Sequence, residues 1–316
     1  MNEFSELFKK VNGWGQLKDY RKSHVLRLAL FETLLLGTSK KSLEIVRLAV
    51  QTKIYSRLKK KNLHLIDKFV HDHPTPTRGN HRKTIWTIWL QGIEAAPSIV
   101  KKCYKSLKQN IIDYEIIVIT EENYNQYVSF PEFILEKYRL GIISKVHFAD
   151  LLRIELLSKY GGTWLDGTVF CSGLIEGKHD FYLNDDLFLY QNLKPGLDGH
   201  PTSISSWMMT ASSNNNIILL TRELLHNYWK KNNRAVDYFI LHEFFQMAIE
   251  AYPDEWSKVI PVSNSAPHIL LLRMFDKYDE KIWNVVKEQT PFHKLSYKYI
   301  KEKEAIPDTY YSKIIK

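Results

Sequence analysis

The sequence predicts an α/β protein built on a Rossmann-like sheet, preceded by a helical N-terminal extension. Three observations carry this. From about residue 84 onward strand-like and helix-like runs alternate. The strand-like runs are nearly continuous in apolar residues, as strands covered on both faces are. A long helix-like run also ends at a double glycine that leads straight into another strand. With 316 residues, 44% hydrophobic and 25% charged, the chain can bury one full core and still carry an appendage.

The N-terminal segment is set apart by charge. Met1 to Thr84 holds 18 Lys and Arg against 7 Asp and Glu, whereas the remainder holds 26 against 28. A cationic arm implies an anionic partner, whether phospholipid, a diphosphate-linked carrier or nucleic acid; charge runs also occur as plain solvated helix faces. Val25 to Leu36 is the most apolar stretch of the chain. About a dozen residues, interrupted by Arg27 and Glu32, fall short of the roughly 20 that a membrane span needs. No signal-peptide cleavage pattern follows it. Two roles suit the run: an amphipathic helix lying on an anionic membrane surface, or a helix packed on the rest of the protein. The long side chains of Lys40, Lys41 and Lys59-Lys60-Lys61 serve either role.

His71 to His81 contains Pro74, Pro76 and Gly79 without periodicity and reads as a linker. It divides the chain into a basic helical extension with linker, residues 1–80, and a main domain, residues 81–316. The linker histidines lack a matching carboxylate or cysteine set and are expected to be solvated. Cys103 and Cys171 offer neither a disulfide framework nor metal-ligand spacing, which predicts two core thiols and a reducing, cytoplasmic setting.

Beyond the linker, Thr84 to Leu90 reads as the first strand and Pro97 to Lys108 as a helix, apolar at Ile99, Val100, Cys103, Tyr104 and Leu107. Tyr114 to Thr120 is the second strand, Pro131 to Tyr138 and Lys145 to Tyr160 are helices, and Gly162 to Phe170 is the third strand. No Walker-type loop or Gly-x-Gly-x-x-Gly fingerprint is present, so ATPase and dinucleotide-binding readings lose support. Gln191 to Ser206, with Pro195, Gly196, Gly199 and Pro201, reads as a long loop suited to an acceptor rim or a closing lid. Ser212 to Asn216 and Asn264 to His268 are further polar turns.

The most informative stretch runs from Ser144 to Phe170. Asp150 and Arg153, three apart, share one face of the predicted helix, and the strand after Gly161-Gly162 carries Asp166 at its carboxyl end. Ligands of open α/β sheets sit at that end. The pattern Ala149-Asp150-x-x-Arg153, then Tyr160-Gly161-Gly162-x-Trp164-Leu165-Asp166, resembles sugar-nucleotide-dependent glycosyltransferases of the capsular polysaccharide synthesis type, relatives of the α-mannosyltransferases and the large clostridial glucosylating toxins. Lys83 to Gly92 resembles the family's first strand, and Asp237 to Phe245 and Pro291 to Lys298 resemble its later blocks, all in the family's order.

The resemblance implies a glycosyltransferase A type fold and transfer of one sugar, with retention of configuration, from a nucleotide-sugar donor, a UDP-sugar. The implied acceptor is a lipid-diphosphate-linked oligosaccharide in capsular or surface polysaccharide synthesis on the cytoplasmic side, and the basic N-terminal segment adds the expectation of peripheral contact with the inner face of the membrane. The resemblance further implies that Asp166 lies beside the diphosphate and, with His293, holds Mn2+ or Mg2+. Asp150 and Arg153 would bond donor-sugar hydroxyls, Trp89 with Gln91 would meet the uracil ring, and Lys294 and Lys298 would neutralise diphosphate oxygens. The chemistry fits these residue types, since departure of a nucleoside diphosphate develops negative charge that a dication or fixed cations must stabilise. Typical members carry a second acid two places after the Asp166 position, where this chain has Thr168. A metal here would therefore rest on one carboxylate, a hydroxyl and the substrate.

Plainer roles stand beside these. Asp150 and Arg153 also make a structural ion pair worth a few tenths of a kcal/mol. Trp89 also suits a core position, as Trp86 does, and His293 a surface loop. His242, within the apolar helix-like run Phe239 to Ile249, reads as a packed residue rather than a catalyst. Two other functions share the sequence features: a sugar-phosphate transferase of the same pathway, and a non-catalytic carbohydrate- or nucleotide-binding protein. No helix-turn-helix, zinc or aromatic-basic motif supports a nucleic-acid partner.

Overall fold

A computed structural model describes residues 13–74, 79–193 and 202–316. The longer helices are α1 (Gly13–Lys22), α2 (Leu26–Leu36), α3 (Lys40–Asp72), α4 (Ser98–Asn110), α5 (Glu132–Arg139), α6 (Lys145–Tyr160), α7 (Asn216–Lys231), α8 (Ile240–Ala251) and α9 (Glu280–Gln289). The strands are β1 (Thr84–Ile88), β2 (Glu115–Ile119), β3 (Gly162–Asp166), β4 (Val169–Cys171), β5 (Leu187–Gln191), β6 (Ile204–Ala211), β7 (Val262–Ser263) and β8 (Phe292–Lys294).

Six strands form a mixed, mostly parallel sheet in the order β2-β1-β3-β6-β5-β7. β1 runs parallel to β2 and β3, β6 is reversed against β3 and β5, and β7 is parallel to β5. This is the α/β architecture that the alternating runs predict. Successive strand residues enter opposite cores, because side chains alternate across a strand. Trp86, Trp164, Leu189 and Met209 pack into the core shared with α5 to α8, while Ile85, Leu165, Phe188 and Met208 pack on the other face, toward Leu107 of α4. Burial on both faces is the reason the strand sequences lack a polar alternation.

The extension is helical, as expected. Gly37, at φ +80°, turns the chain between α2 and α3, and Ser39 caps α3 by accepting from the Ser42 amide at 3.1 Å. Val46, Val50, Ile54 and Leu58 recur every fourth residue along α3 and form its buried stripe. That stripe faces α7 and α8, where Tyr55 donates to Glu250 (2.7 Å) and Asn227 donates to Asn62 (3.0 Å). The helix runs through His71 to Asp72, so this end of the expected linker is helical; Thr75 to Arg78 lie outside the described residues.

One expectation is corrected by strand geometry. The third strand ends at Asp166; the chain turns at Gly167-Thr168, and Val169 to Cys171 pairs with β8 in a separate two-stranded ribbon. The polar turn Ser212 to Asn216 lies at the amino end of β3, where Asn215 caps α7. Of the expected loop from Gln191 to Ser206, Gln191 belongs to β5 and Ile204 opens β6, while its Pro and Gly positions fall outside the described residues. Cys103 and Cys171 are buried, unpaired thiols.

Within α8, Glu243 is 1% exposed and neither carboxyl oxygen has a hydrogen-bond partner. Burial, helped by Asp237, pushes its carboxyl well above the ordinary 4.5, so the folded chain keeps a proton that the unfolded chain releases. Its contribution is complete below that ordinary value and is lost as pH rises toward the raised one. Glu243→Gln has no such proton to lose, so its melting temperature should gain on that of the parent chain between pH 5 and pH 8; melting curves that shift in parallel across that range would contradict this.

Candidate active site

The site grows from the junction of α6 and β3. Ser144 caps α6 by accepting from the His147 amide, and the helix is buried from Phe148 to Ser158 except at Ala149. At its other end Gly161 (φ +68°) and Gly162 (φ +94°) adopt backbone that favours glycine, and a Cβ on Gly162 would sit 2.6 Å from the Thr84 carbonyl oxygen. The Trp86 indole donates to the Gly161 carbonyl at 2.9 Å, which fixes the entry into β3. β3 then runs beside β1 until Asp166 lies opposite Ile88, at the carboxyl end of the parallel strands.

Four charged side chains meet there. Arg153 Nη1 donates to Asp150 Oδ1 at 2.6 Å, and Nη2 reaches Asp166 Oδ1 at 3.2 Å. The same Asp166 oxygen accepts from Trp164 Nε1 at 3.0 Å, while the Arg153 guanidinium lies 4.8 Å from the Trp164 ring centre. The second Asp166 oxygen belongs to Lys294, whose Nζ donates to Oδ2 at 2.8 Å and to Thr168 Oγ1 at 2.7 Å. The β4–β8 ribbon delivers that lysine, and the Leu295 amide pins the turn by donating to the Thr168 carbonyl at 2.9 Å. The Arg153 side chain is 5% exposed against 29% for Asp166 and 20% for Lys294, so the carboxylate and the ammonium face solvent over a buried guanidinium.

Burial alone would raise the Asp166 carboxyl, but Lys294 and Arg153 outweigh it and hold it below its ordinary value. Asp150 moves the other way: burial lifts its carboxyl above the ordinary range against the pull of Arg153 and His147. Two residues at the start of α8 sense the same charges. Burial, Asp150 and Asp166 raise the Tyr238 phenol, and burial together with Arg153 presses the His242 imidazole down to about 3, leaving it neutral at pH 7. His242 Nδ1 is buried without a hydrogen-bond partner. At the rim, Trp89 packs edge-on against Tyr297 with ring centres 5.6 Å apart.

The structure therefore brings together Asp150, Arg153, Asp166 and Lys294. Gln91 and Lys298 are exposed, and no hydrogen bond or ion pair among the described residues joins them to the cluster. His293 is not brought to Asp166. Neighbours on a strand point to opposite faces, so Lys294 turns toward Asp166 while His293 turns away, wholly buried, toward Ser172 (3.0 Å) and the Trp283 ring (5.3 Å). Burial presses His293 down to about 3. Trp164, Tyr238 and Tyr297 join the neighbourhood of the cluster without a site signal of their own in the sequence, and the β-period of Phe292-His293-Lys294 is the signal that separates Lys294 from His293.

These donors do not fit Mn2+ or Mg2+. Hard dications want several free oxygen ligands. Both Asp166 oxygens are committed to cationic or N–H donors, the Thr168 hydroxyl shares the same ammonium, and no group of three His, Cys, Asp or Glu able to hold a metal exists among the described residues.

Comparison with known proteins agrees with the motifs. The capsular polysaccharide synthesis protein family matches residues 37–314. The chain belongs to that family. A role in capsular polysaccharide synthesis follows from that membership. Among solved structures it is similar to one described as the PaToxG glycosyltransferase, at 15% identity over 82% of this chain and 95% of that one, with a TM-score of 0.39. No curated protein matches it.

The buried pair makes a direct stability prediction. Arg153→Met leaves Asp150 buried without its cation and should cost about 3–5 kcal/mol in denaturant unfolding. Adding Asp150→Asn should recover part of that loss, and a double variant whose loss equals the sum of the two singles would show the pair to be uncoupled.

Proposed function

We propose that this protein is a glycosyltransferase that moves one sugar from a UDP-sugar donor, with retention, to a lipid-diphosphate-linked oligosaccharide acceptor at the inner face of the membrane. The observation that carries the reading is the Lys294 ammonium bridging Asp166 and Thr168 at the carboxyl end of β3. An ammonium has three N–H groups and two are used there, so the third is free to meet a diphosphate oxygen. In this reading Lys294 is the fixed cation that stabilises the leaving diphosphate, in the role given elsewhere to a dication, and transfer needs no Mn2+ or Mg2+. Lys298, exposed four residues on, adds a second cation at the rim.

The other residues take roles suited to their chemistry. Arg153 and Asp150 hold donor-sugar hydroxyls, because a buried guanidinium and carboxylate fixed by one another are preorganised donors and acceptors. The half-buried Trp89, braced by Tyr297, offers a face to the uracil ring, with Gln91 beside it. The neutral His242 imidazole in α8 and the Tyr238 phenol just before it feel the charges of the cluster. The membrane-facing part of the reading is supported by the basic extension; among the described residues no helix is long and apolar enough to cross a membrane.

A panel of UDP- and GDP-sugars, assayed for nucleotide release without acceptor, tests the reaction. One UDP-sugar should yield UDP, and Asp166→Asn should lower its rate by about a hundredfold or more with little change in melting temperature. Release of UMP would mark a sugar-phosphate transferase, and tight donor binding without release would mark a binding protein; either result contradicts the proposal.

A further inference from the structure

A separate concentration of charge lies in the N-terminal extension. A cavity of about 770 Å³ opens between the turn after α1, one side of α3 and the chain following α7. Lys22, Arg57, Lys60, Lys61 and Arg234 line it, and no Asp or Glu does. None of the five cations forms an ion pair among the described residues. Like charges gathered in one concavity repel, and a folded chain keeps such a concentration at a cost in stability.

Two of these guanidiniums are fixed by bonds that leave their charge uncompensated. Arg57 Nη1 donates to the carbonyls of Ser23 (3.1 Å) and His24 (2.9 Å), and Arg234 Nη2 donates to the Lys22 carbonyl. Arg234 Nη1 is buried and has no hydrogen-bond partner. A second cavity of about 580 Å³ shares His24 and Arg57 with the first and adds Arg21, Arg27 and Lys53, again without an acid in its lining. Planar, preorganised guanidiniums beside mobile ammonium groups are the chemistry that recognises phosphate oxygens.

The same corner carries the most exposed apolar helix face of the extension. Leu30, Phe31, Leu34 and Leu35 of α2 are 55%, 58%, 84% and 64% exposed. Arg27 stands on that face one turn below Leu30 and Phe31. Ile45 and Leu48, at 50% and 39% exposure, sit on the outer side of the adjoining α3. A free phosphate would satisfy the cavities and leave this apolar face unaccounted for. A lipid satisfies both, since basic side chains meet the headgroup while the apolar face of a helix enters the acyl boundary.

We propose that the 22–24 turn, α3 and Arg234 form a binding site for the phosphate headgroup of an anionic membrane lipid, with the apolar face of α2 set into the bilayer surface. The inference rests on the membrane-facing part of the proposed function and gives it a site; that site shares no residue with the Asp166 cluster, so its failure is distinguishable from failure of the transfer reaction.

Flotation of the full chain with liposomes tests it, with no donor present. The chain should float with phosphatidylcholine vesicles doped with phosphatidylglycerol and stay behind with phosphatidylcholine alone. Lys60→Glu with Lys61→Glu should weaken that binding about tenfold or more at unchanged melting temperature. Leu34→Asp with Leu35→Asp should weaken it as well, and Asp166→Asn should leave it intact. Equal binding to neutral and anionic vesicles, or indifference to the charge reversal, would overturn the proposal. So would saturation of the site by inorganic pyrophosphate with no vesicle binding, which would assign it to a soluble anion.

Discussion

The site depends on one carboxylate being shared by two cations. Asp166 takes Arg153 on one oxygen and Lys294 on the other; β3 and α6 are neighbours in the chain, whereas β8, which carries the lysine, lies more than a hundred residues away. Each charged group would be costly to leave alone. A guanidinium as enclosed as that of Arg153 needs its counter-charges, and an ionised Asp166 needs cations to hold it below its ordinary range. The neighbouring architecture keeps them in register: the two left-handed glycines set where β3 begins, and the turn at Gly167 and Thr168 hands the chain to the ribbon that brings back Lys294.

That sharing also gives the Thr168 hydroxyl a partner two places after Asp166. Two carboxylates at that turn would repel unless a dication lay between them. With a hydroxyl in one position, the Lys294 ammonium bonds both groups within 2.8 Å. A tethered ammonium is always present and needs no capture from solution. It carries a single charge, so the proposed transfer leans more on Arg153 and on Lys298 for the remainder of the diphosphate's charge.

The half of the sheet made by β1, β2 and β3 was legible because its signals are local, whereas β5, β6 and β7 were not read from the sequence. The apolar runs at Thr84 and Tyr114 and the double glycine before Thr163 mark strands and a helix end whatever surrounds them. The helical spacing of Asp150 and Arg153 likewise placed them on one face, and strand polarity placed Asp166 at the ligand end. What escaped was set by long-range pairing. Nothing local says that Val169 leaves the main sheet to pair with Lys294, some 120 residues later. That pairing decides that the lysine, and not the adjacent His293, meets Asp166. His242, read as a packed residue, has an imidazole that burial and the Arg153 charge hold neutral.

Calorimetric titration of UDP onto the full chain, in EDTA and then in Mn2+, for the parent protein and for Lys294→Met, probes the central claim most directly. The account predicts the same affinity with and without metal for the parent, and a loss of about tenfold or more in both conditions for Lys294→Met, the equivalent of about 1.4 kcal/mol. Binding by the parent that appears only with Mn2+, together with an unchanged affinity in Lys294→Met, would contradict it.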